Sequence, residues 1–476
     1  MSRAFSLFLA LVVPLSSFAS GHDVSTSTAN QSAPVVTGNA DGFAVAWLNQ
    51  SGPFRTVTAA RVSSAGDPLD GAGIPLDEKA TFSTAIAHSP SESLVVWGTS
   101  SSIVAARVTS SGVRLDTTPL LLSSQSNGQV AAVWDGSRYF VVWSTGNRLV
   151  GSFVGSDGTV TNPKVFLDET ALGNAFYTPD VSWDGRQFMV VFVEDGPYTG
   201  VFCSVSCAPP PDQVRVMRVS AAGDAIDTSR IEIPGVHYSA HIASTGTESL
   251  IALDGDFETS TMFVRDDGLA LRLGPEVSLF RWFYHVSSDV AWDGAAYVVG
   301  WRYQKAYDGA GWLAASRISR TGMALGSFVT AGEPAVNSIG LGPSVAANDG
   351  GQTALAVLEK ETSSSITRTR LYLLREFSTM PPPPPAPRNA ISYFSGSKAL
   401  IEWQSDGGAD GFVLEQSTNF GASWYRVSEW SPETRTASTF ASVGNLVRVR
   451  AYGPGGFSEG TITSIGSQQR RRSQRP

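Results

Sequence analysis

The chain has 476 residues, a formal net charge of −8 and only 16% charged residues. This length allows two or three domains, and an acidic chain without a large basic patch argues against a nucleic-acid partner. The abundance of glycine and serine, together with the lack of long helical patterns of apolar residues, predicts an all-β protein.

Residues 1–19 have the features of a secretory signal peptide. Arg3 supplies a positive charge, Phe5 to Leu15 form an apolar segment too short to span a membrane, and Ala19 is a small residue at the expected cleavage point. No later stretch reaches transmembrane length. We therefore expect a secreted protein without a membrane span, located outside the cell, at the cell surface or in the periplasm.

A repeated phrase dominates residues 22–379. Trp134–Trp143 (WDGSRYFVVW) combines an Asp-Gly turn with an apolar strand, and it recurs at Trp183–Phe192 and Trp292–Trp301. Weaker copies end at Trp47, Trp97, Leu253 and Leu358. A spacing of roughly fifty residues between copies is typical of a propeller or a solenoid.

Six copies are followed by a second phrase, a short strand that runs into a Ser/Gly/Asp turn, as in Ala60–Gly66 (ARVSSAG) and Ala106–Gly112 (ARVTSSG). A further apolar strand comes next, so each repeat has the four strands of a propeller blade. The seventh repeat lacks its fourth strand, and the segment from Asp23 to Ser27 resembles one. We therefore predict a seven-bladed β-propeller over 22–379, closed by the N-terminal strand.

The WDGxxYxVVW pattern resembles the repeats of exported bacterial β-propeller proteins, over roughly Pro34 to Phe377. In WD40 repeats, by contrast, the Trp-Asp pair closes a later strand and is accompanied by an upstream Gly-His, which is not in register here. The resemblance implies a fold and does not define a function.

A proline-rich linker at 380–387 separates the repeats from a different domain. Met380 is followed by five prolines, which predict a stiff, extended spacer. At the other end of that domain, residues 467–476 contain Arg470 to Arg472 and are predicted to be a disordered basic tail.

Residues 388–466 contain strands with alternating apolar residues, such as Gly411–Ser417, at a spacing that favours a small β-sandwich. Trp403 and the segment Val447–Gly460 (VRVRAYGPGGFSEG) resemble the strand B tryptophan and strands F and G of fibronectin type III domains. Tyr452 is displaced from the tyrosine position that is usual in that family. The resemblance implies a spacer or binding module without catalytic activity.

Two predicted insertions and one aromatic segment are expected on the same face of the propeller. The insertions, Val193–Asp212 and Arg302–Gly311, separate the second and third strands of blades 4 and 6, and Arg281–His285 joins blade 5 to blade 6. Exposed aromatic residues are typical of binding hot spots. The candidate ligand-binding residues are Tyr198, Trp282, Tyr284, Tyr303 and Tyr307. Packing of Trp282 between the blades is the alternative.

Cys203 and Cys207 lie in the first insertion and are the two cysteines of the chain. In an exported protein, a close pair is most simply a disulfide bond. Their spacing matches neither a zinc site nor a thioredoxin motif.

Several ionisable residues cluster in blades 4 to 6. His237, His241 and His285 are predicted on connections that share a face, which allows a metal site, but ordinary surface histidines are the favoured interpretation. Loop carboxylates that follow the second strands can act as acid and base or bind calcium: Glu194, Asp195, Asp254, Asp256 and Asp308. Since no DxDxDG loop occurs, we expect solvated carboxylates, no metal and no cofactor.

Ser417–Trp424 (STNFGASW) resembles the Asp-box of sialidases but has Asn419 in place of the aspartate. We predict a hairpin turn there, with Gly421 at positive φ.

No G-x-S-x-G, H-E-x-x-H or P-loop motif occurs in the sequence. The favoured hypothesis is therefore a non-catalytic, monomeric binding or adhesion protein that presents a propeller face to an extracellular glycan or protein ligand. The alternative is a carbohydrate-active, glycosidase-like enzyme that uses the loop carboxylates of blades 4 to 6.

Overall fold

The computed structural model describes residues 21–466 except 52–53, 78–82, 126–128, 169–174, 196–212, 228–229, 236, 247, 256–257, 269, 282–286, 305–310, 323, 330–341, 361–365, 375–383, 396–397, 410, 419, 422–424, 432, 441 and 454–455. The regular structure of the described residues consists of 36 β-strands, which confirms the all-β prediction. Within these residues, no helix has the length and apolar character needed to cross a membrane.

Seven four-stranded antiparallel sheets occur in the described residues. The first strand of the chain, β1 (His22–Asp23), belongs to the last of them. Sheet 1 contains β2 (Asn30–Asn39), β3 (Gly42–Ser51), β4 (Phe54–Ser63) and β5 (Ile74–Asp77). Sheet 2 contains β6 (Thr84–His88), β7 (Glu92–Gly98), β8 (Ile103–Thr109) and β9 (Leu120–Ser123). Sheet 3 contains β10 (Val130–Trp134), β11 (Arg138–Ser144), β12 (Arg148–Gly155) and β13 (Lys164–Asp168).

The remaining four sheets of this group follow the same order. Sheet 4 contains β14 (Ala175–Trp183), β15 (Gln187–Asp195), β16 (Gln213–Ser220) and β17 (Ile231–Glu232). Sheet 5 contains β18 (His237–Thr245), β19 (Glu248–Gly255), β20 (Glu258–Asp266) and β21 (Leu271–Arg281). Sheet 6 contains β22 (Ser287–Trp292), β23 (Tyr297–Gln304), β24 (Gly311–Ile318) and β25 (Ala324–Val329). Sheet 7 contains β26 (Ser344–Ala347), β27 (Thr353–Lys360), β28 (Thr367–Leu374) and then β1.

Each sheet packs between two neighbours. The first strands of successive sheets contact each other in cyclic order, and β26 contacts β2. A buried apolar cluster with members from both sheets fills each interface, including the one between sheets 7 and 1. Trp47, Trp97 and Trp143 are fully buried in these clusters, and burial of one such ring stabilises the fold by about 2–3 kcal/mol. Stacked four-stranded sheets of this kind make the protein β-propeller-like.

The repeated Trp-Asp-Gly phrase forms the turn between the first and second strands. Asp135 Oδ1 accepts a hydrogen bond from the Arg138 amide at 2.9 Å, and Gly136 takes a φ of 97°. Asp184 and Asp293 make the equivalent bonds in sheets 4 and 6, at 2.9 and 2.7 Å. The short carboxylate thus satisfies backbone N–H groups that the turn leaves without a strand partner, which explains why aspartate recurs there.

In sheets 1, 2 and 4, an arginine of the third strand pairs with an aspartate nine residues later, in the connection to the fourth strand. Asp116 accepts hydrogen bonds from the Arg107 amide and guanidinium, both at 2.8 Å. The pairs Arg61–Asp70 and Arg218–Asp227 have the same arrangement. The guanidinium also reaches the next sheet, as where Arg61 Nη1 donates to the Ser110 carbonyl at 3.0 Å. These pairs therefore stabilise sheets 1, 2 and 4 and connect each of them to the next sheet.

The N-terminal segment supplies the outermost strand of sheet 7. In β1, His22 lies opposite Leu371 and Asp23 lies opposite Arg370, antiparallel to β28. The Arg370 guanidinium is 3.2 Å from the Asp23 carboxylate. Val24, the next residue, is fully buried in the apolar cluster between sheets 7 and 1.

The C-terminal residues form two further antiparallel sheets. The first contains β29 (Arg388–Ser395), β30 (Lys398–Gln404) and β33 (Thr436–Thr439). The second contains β31 (Gly411–Ser417), β32 (Tyr425–Trp430), β34 (Leu446–Gly453), β35 (Gly456–Phe457) and β36 (Thr461–Ser464). Their shared core includes Trp403, whose ring centroid lies 5.4 Å from that of Phe412. Gly421 has a φ of 87° in the turn between β31 and β32, as predicted.

Candidate functional site at the inner ring

One position of each first strand defines a ring at the centre of the sheets. The residue at this position pairs with a second-strand residue, and the next residue of that second strand is apolar, as Trp97 and Trp143 are. The seven residues, hereafter the inner ring, are Val35, Ala85, Ala131, Asp180, His241, Asp289 and Ser344. Because the first strands contact one another in cyclic order, successive ring residues are neighbours in space.

The inner ring is divided by chemistry. Sheets 1 to 3 contribute Val35, Ala85 and Ala131, which we call the apolar side. Sheets 4 to 6 contribute Asp180, His241 and Asp289, which we call the charged arc. The framework around the two parts is the same, so the charges are not required by the strand geometry itself.

The backbone fixes both carboxylates of the charged arc. Asp180 Oδ2 accepts a hydrogen bond from the Ile242 amide of sheet 5 at 2.9 Å. Asp289 Oδ2 accepts one from the Val345 amide of sheet 7 at 2.7 Å, and Asp289 Oδ1 accepts one from Val290 at 2.7 Å. The first strand is a sheet edge, so its N–H groups need such partners. Each aspartate therefore links its own sheet to the next.

His241 lies between these two carboxylates. Its Nδ1 is 3.5 Å from Asp180 Oδ2 and 3.8 Å from Asp289 Oδ1, and one ligand atom of each residue lies within 4.8 Å of the others. About one third of the His241 side chain is accessible to solvent (33%), and the carboxylates are 24% and 19% exposed. The three side chains thus face a space that solvent reaches, which we call the recess.

Electrostatics couple the groups of the arc. Burial by itself would lower the pKa of His241, but the carboxylates of Asp180, Asp289 and Asp254 raise it to about 9. Burial raises the pKa of Asp289 to about 6, against the opposing effect of the His241 charge. At neutral pH the imidazole is therefore a cation among carboxylates, and Asp289 titrates close to neutrality.

Asp254 is a further carboxylate that acts on His241, and it is buried. It accepts hydrogen bonds from the Ser239 hydroxyl at 2.8 Å and from the Ser288 amide at 2.9 Å, and so connects sheets 5 and 6. Burial raises its pKa, while the bonds from Ser288 oppose that rise. Asp254 adds negative charge to the site without being exposed, since it is only 2% accessible.

Most of the residues chosen from the sequence for ligand binding lie outside the described residues. This applies to Tyr198, Trp282, Tyr284 and Tyr307, and equally to Cys203 and Cys207. Tyr303 belongs to β23, where it lies opposite Trp312, and its side chain is not part of the description. Ligand binding by these residues and the disulfide bond stay predictions.

The predicted insertions begin later than expected. Strand β15 continues to Asp195 and β23 continues to Gln304, so the first residues of both segments extend the sheets. Glu194 is consequently not a loop carboxylate, because it is buried in β15 and paired with Arg215 at 2.9 Å. Asp254 likewise lies within β19. Asp256, Asp308 and His285 are outside the described residues.

The predicted placement of His237 and His241 on a connection between blades was wrong. Both belong to β18, in which the pairing shifts register between His237 and Ser239. His237 is buried, and its Nε2 lies 3.1 Å from the Pro234 carbonyl oxygen, away from the arc. His241 is tolerated in β18 because its side chain is partly exposed and lies beside two carboxylates, whereas the buried His237 has a backbone carbonyl as partner.

Asp180 and Asp289 were not predicted as site residues. The sequence does distinguish them, because both begin the phrase D-V-x-W-D-G. The corresponding residue of sheet 3, three positions before the tryptophan of its Trp-Asp-Gly turn, is Ala131. Alignment of the repeats on that turn places the two aspartates at one position of two first strands.

A groove between sheets 2 and 3 does not include the residues of the charged arc. This open groove of about 450 Å³ runs between the fourth strand of sheet 2 and the third and fourth strands of sheet 3, and it is lined by Leu121, Arg148 and Val165 among others. Leu121 and Val165 are more than half exposed there, and a groove with exposed apolar side chains is an alternative place for a ligand.

No protein-family model and no curated protein sequence matches the chain. Solved structures do match. A structure titled as a new family of polysaccharide lyase, PL25 ulvan lyase, has a TM-score of 0.50 and 12% identity, over 74% of this chain and 95% of that one. Hydrazine synthase of Kuenenia stuttgartiensis has a TM-score of 0.45 and 12% identity, over 73% and 96% of the two chains. The Dos1 propeller has a TM-score of 0.38 and 7% identity, over 81% and 93%. At these identities the likeness concerns the fold alone.

Proposed function

We propose that this chain is an exported seven-bladed β-propeller, closed by its N-terminal strand and followed by a fibronectin type III domain, which binds an extracellular ligand at the charged arc of the inner ring. The ligand is a glycan or a hydroxyl-bearing protein segment, and binding does not require catalysis. Export is supported by the signal-peptide features of residues 1–19. The number of blades is supported by seven sheets in cyclic contact.

The convergence of Asp180, His241 and Asp289 carries this proposal. Three ionisable side chains come from three separate repeats and meet in one accessible recess, whereas the equivalent positions of sheets 1 to 3 are apolar. Carboxylates that are already oriented by backbone N–H groups retain free lone pairs, which can accept hydrogen bonds from paired sugar hydroxyls. Fixed acceptors of this kind lose little entropy when a ligand binds.

The predicted aromatic residues extend the proposed site outward. Tyr198, Trp282, Tyr284, Tyr303 and Tyr307 would surround the entrance and stack on sugar rings or on a protein partner. In the sequence they lie within or between the segments that form sheets 4 to 6, which also contribute the charged arc.

A glycan array probed with the full-length exported chain tests the proposal. The best ligand is then titrated against Asp180→Asn, which keeps the shape and one acceptor oxygen but removes the charge. We expect a loss of affinity of about tenfold or more, the usual effect of removing a charged hydrogen bond from a binding site.

Asp157→Asn is the matched control, because Asp157 is an exposed aspartate in the turn after the third strand of sheet 3. It should leave the affinity unchanged, and Tyr303→Ala and Tyr307→Ala should weaken binding. If Asp157→Asn abolishes binding while Asp180→Asn and the tyrosine variants do not, the ligand binds elsewhere.

A carbohydrate-active enzyme is the second candidate, and one observation favours it. His241, with a pKa raised to about 9, lies 3.8 Å from Asp289, whose pKa is raised to about 6. An acid and a base that differ in this way can exchange protons with a substrate near neutral pH. A structure of similar fold is titled as a polysaccharide lyase, although its 12% identity transfers no residue roles to this chain.

Turnover of the array ligands separates the two functions. Wild-type protein is incubated with each ligand, and the products are analysed by mass spectrometry. Binding without products supports the binding protein. Products that disappear in Asp289→Asn, at unchanged melting temperature, support the enzyme.

A further inference from the structure

We propose that Asp180, His241 and Asp289 form a site for a divalent transition-metal ion of the zinc class, with one coordination position open to the recess. This proposal deepens the proposed function, because the ion would occupy the proposed ligand site. It rests on the arrangement of the three ligand atoms and does not require that the ligand be a glycan.

The distances are longer than those of charge-assisted hydrogen bonds and are suitable for a shared ion. Charge-assisted hydrogen bonds between nitrogen and oxygen are about 2.7–2.9 Å long. His241 Nδ1 is 3.5 Å from Asp180 Oδ2 and 3.8 Å from Asp289 Oδ1. Two ligand atoms that bind one zinc ion tetrahedrally, at about 2.0–2.1 Å each, are about 3.3 Å apart. Small side-chain rotations therefore bring all three atoms to a common ion.

The charge balance favours a cation. Asp180, Asp289 and the buried Asp254 surround the single imidazole of His241. When the imidazole is neutral, as metal coordination requires, these carboxylates face one another without a counter-charge. An ion with two positive charges compensates two of them.

The donor set identifies the class of ion. One imidazole nitrogen with two carboxylate oxygens suits zinc and its first-row neighbours, whereas magnesium and calcium prefer all-oxygen ligands. The Ile242 and Val345 amides hold the carboxylates in place, as supporting hydrogen bonds do in metal sites. Three protein ligands with an accessible fourth position are typical of zinc sites that bind a water or a ligand.

The test is a calorimetric titration of chelator-treated full-length protein with zinc chloride, in the absence of glycan. We expect one ion per chain in the wild type. His241→Gln and Asp289→Asn should each weaken zinc binding by at least about thirtyfold. Loss of a group that merely supports a metal ligand typically weakens binding about 10–100-fold, and loss of the ligand itself should have at least as large an effect. His22→Gln, which removes a histidine of β1, serves as the control and should leave the affinity unchanged.

A second measurement uses the wild type alone and so does not depend on how the variants fold. Crystals grown with zinc chloride should show one anomalous peak bonded to His241 Nδ1. Wild-type binding no tighter than that of His241→Gln, or an anomalous peak at other residues only, overturns the proposal. If zinc fails to bind while Asp180→Asn still abolishes glycan binding, the metal site is wrong and the proposed function stands.

Discussion

The apolar side and the charged arc of the inner ring share one framework and differ in one residue per repeat. Sheets 3, 4 and 6 use the same Trp-Asp-Gly turn, in which the tryptophan ring packs 4.6–4.9 Å from the aromatic ring five residues later. Sheets 2 and 4, one on each side, use the same buried Arg–Asp pair. At the inner ring, however, sheet 3 has Ala131 where sheets 4 and 6 have Asp180 and Asp289.

The difference separates the residues that build the fold from those available for function. A side chain that recurs on both sides is explained by stability, because every repeat faces the same packing problem. The charged arc has no counterpart on the apolar side, and its ionisable groups are partly buried, which costs free energy unless they are compensated. Residues that break a repeat pattern at such a cost are where function is expected.

Removal of β1 should have the largest effect, because it breaks the framework common to both sides. Deletion of residues 21–27 removes the outermost strand of sheet 7 and the buried Val24. We expect the melting temperature to fall by more than about 10 °C, in one transition that includes all seven sheets. Differential scanning calorimetry measures this, and an unchanged melting temperature contradicts closure by the N-terminal strand.

The Arg–Asp pairs should be equally important on the two sides. Asp116→Ala and Asp227→Ala each remove the nearer carboxylate of a buried guanidinium, which keeps a second one, Glu92 for Arg107 and Asp266 for Arg218. Each change should therefore lower the free energy of unfolding by about 1–3 kcal/mol. Asp70→Ala should cost less, because Arg61 is more exposed. Urea unfolding provides the values. A large effect in sheet 4 with none in sheet 2 would show that the framework differs between the sides.

The effects of substitutions in the charged arc on the free energy of unfolding should depend on one another, which is not expected for the apolar side. In metal-free protein, His241→Leu removes the positive charge beside Asp180 and Asp289, and we expect a loss of about 1 kcal/mol because the group is partly exposed. Asp180→Asn in the same chain should restore part of that loss. Additive effects in a double-mutant cycle would mean that the two side chains do not interact.

The smallest effect should come from His88, which lies in β6 on the apolar side. Burial lowers the pKa of His88, so the folded protein binds this proton less readily than the unfolded chain does. Stability should therefore decrease as the pH falls below about 6.5, the ordinary histidine pKa. His88→Gln should reduce that dependence in chemical unfolding measured between pH 5 and 7. If stability depends on pH identically in His88→Gln and in the wild type, the lowered pKa of His88 is contradicted.

Local chemistry made most of the framework predictable. The Asp-Gly turn and the apolar second strands follow from residue type, and the structure places them as expected at Asp135 and Asp184. The Arg–Asp spacing of nine residues was present in the sequence and could have been found by aligning the third strands.

The inner-ring positions could not be predicted from the alternation of inward-facing and outward-facing residues along a single strand. In β14 and β18 the pairing shifts register, between Tyr177 and Asp180 and between His237 and Ser239. Such a shift reverses which residues share a face, so the direction of Asp180 and His241 cannot be counted from the start of the strand. Only counting back from the next turn, in several repeats together, places them at equivalent positions.

A crystal structure of the protein with its best array ligand tests the central claim most directly. We predict ligand density in the recess, within hydrogen-bonding distance of Asp180, His241 or Asp289, or bonded to an ion that they hold. Density confined to the groove of sheets 2 and 3 near Leu121 and Arg148, or to the C-terminal sandwich, with the charged arc unoccupied, would contradict the account.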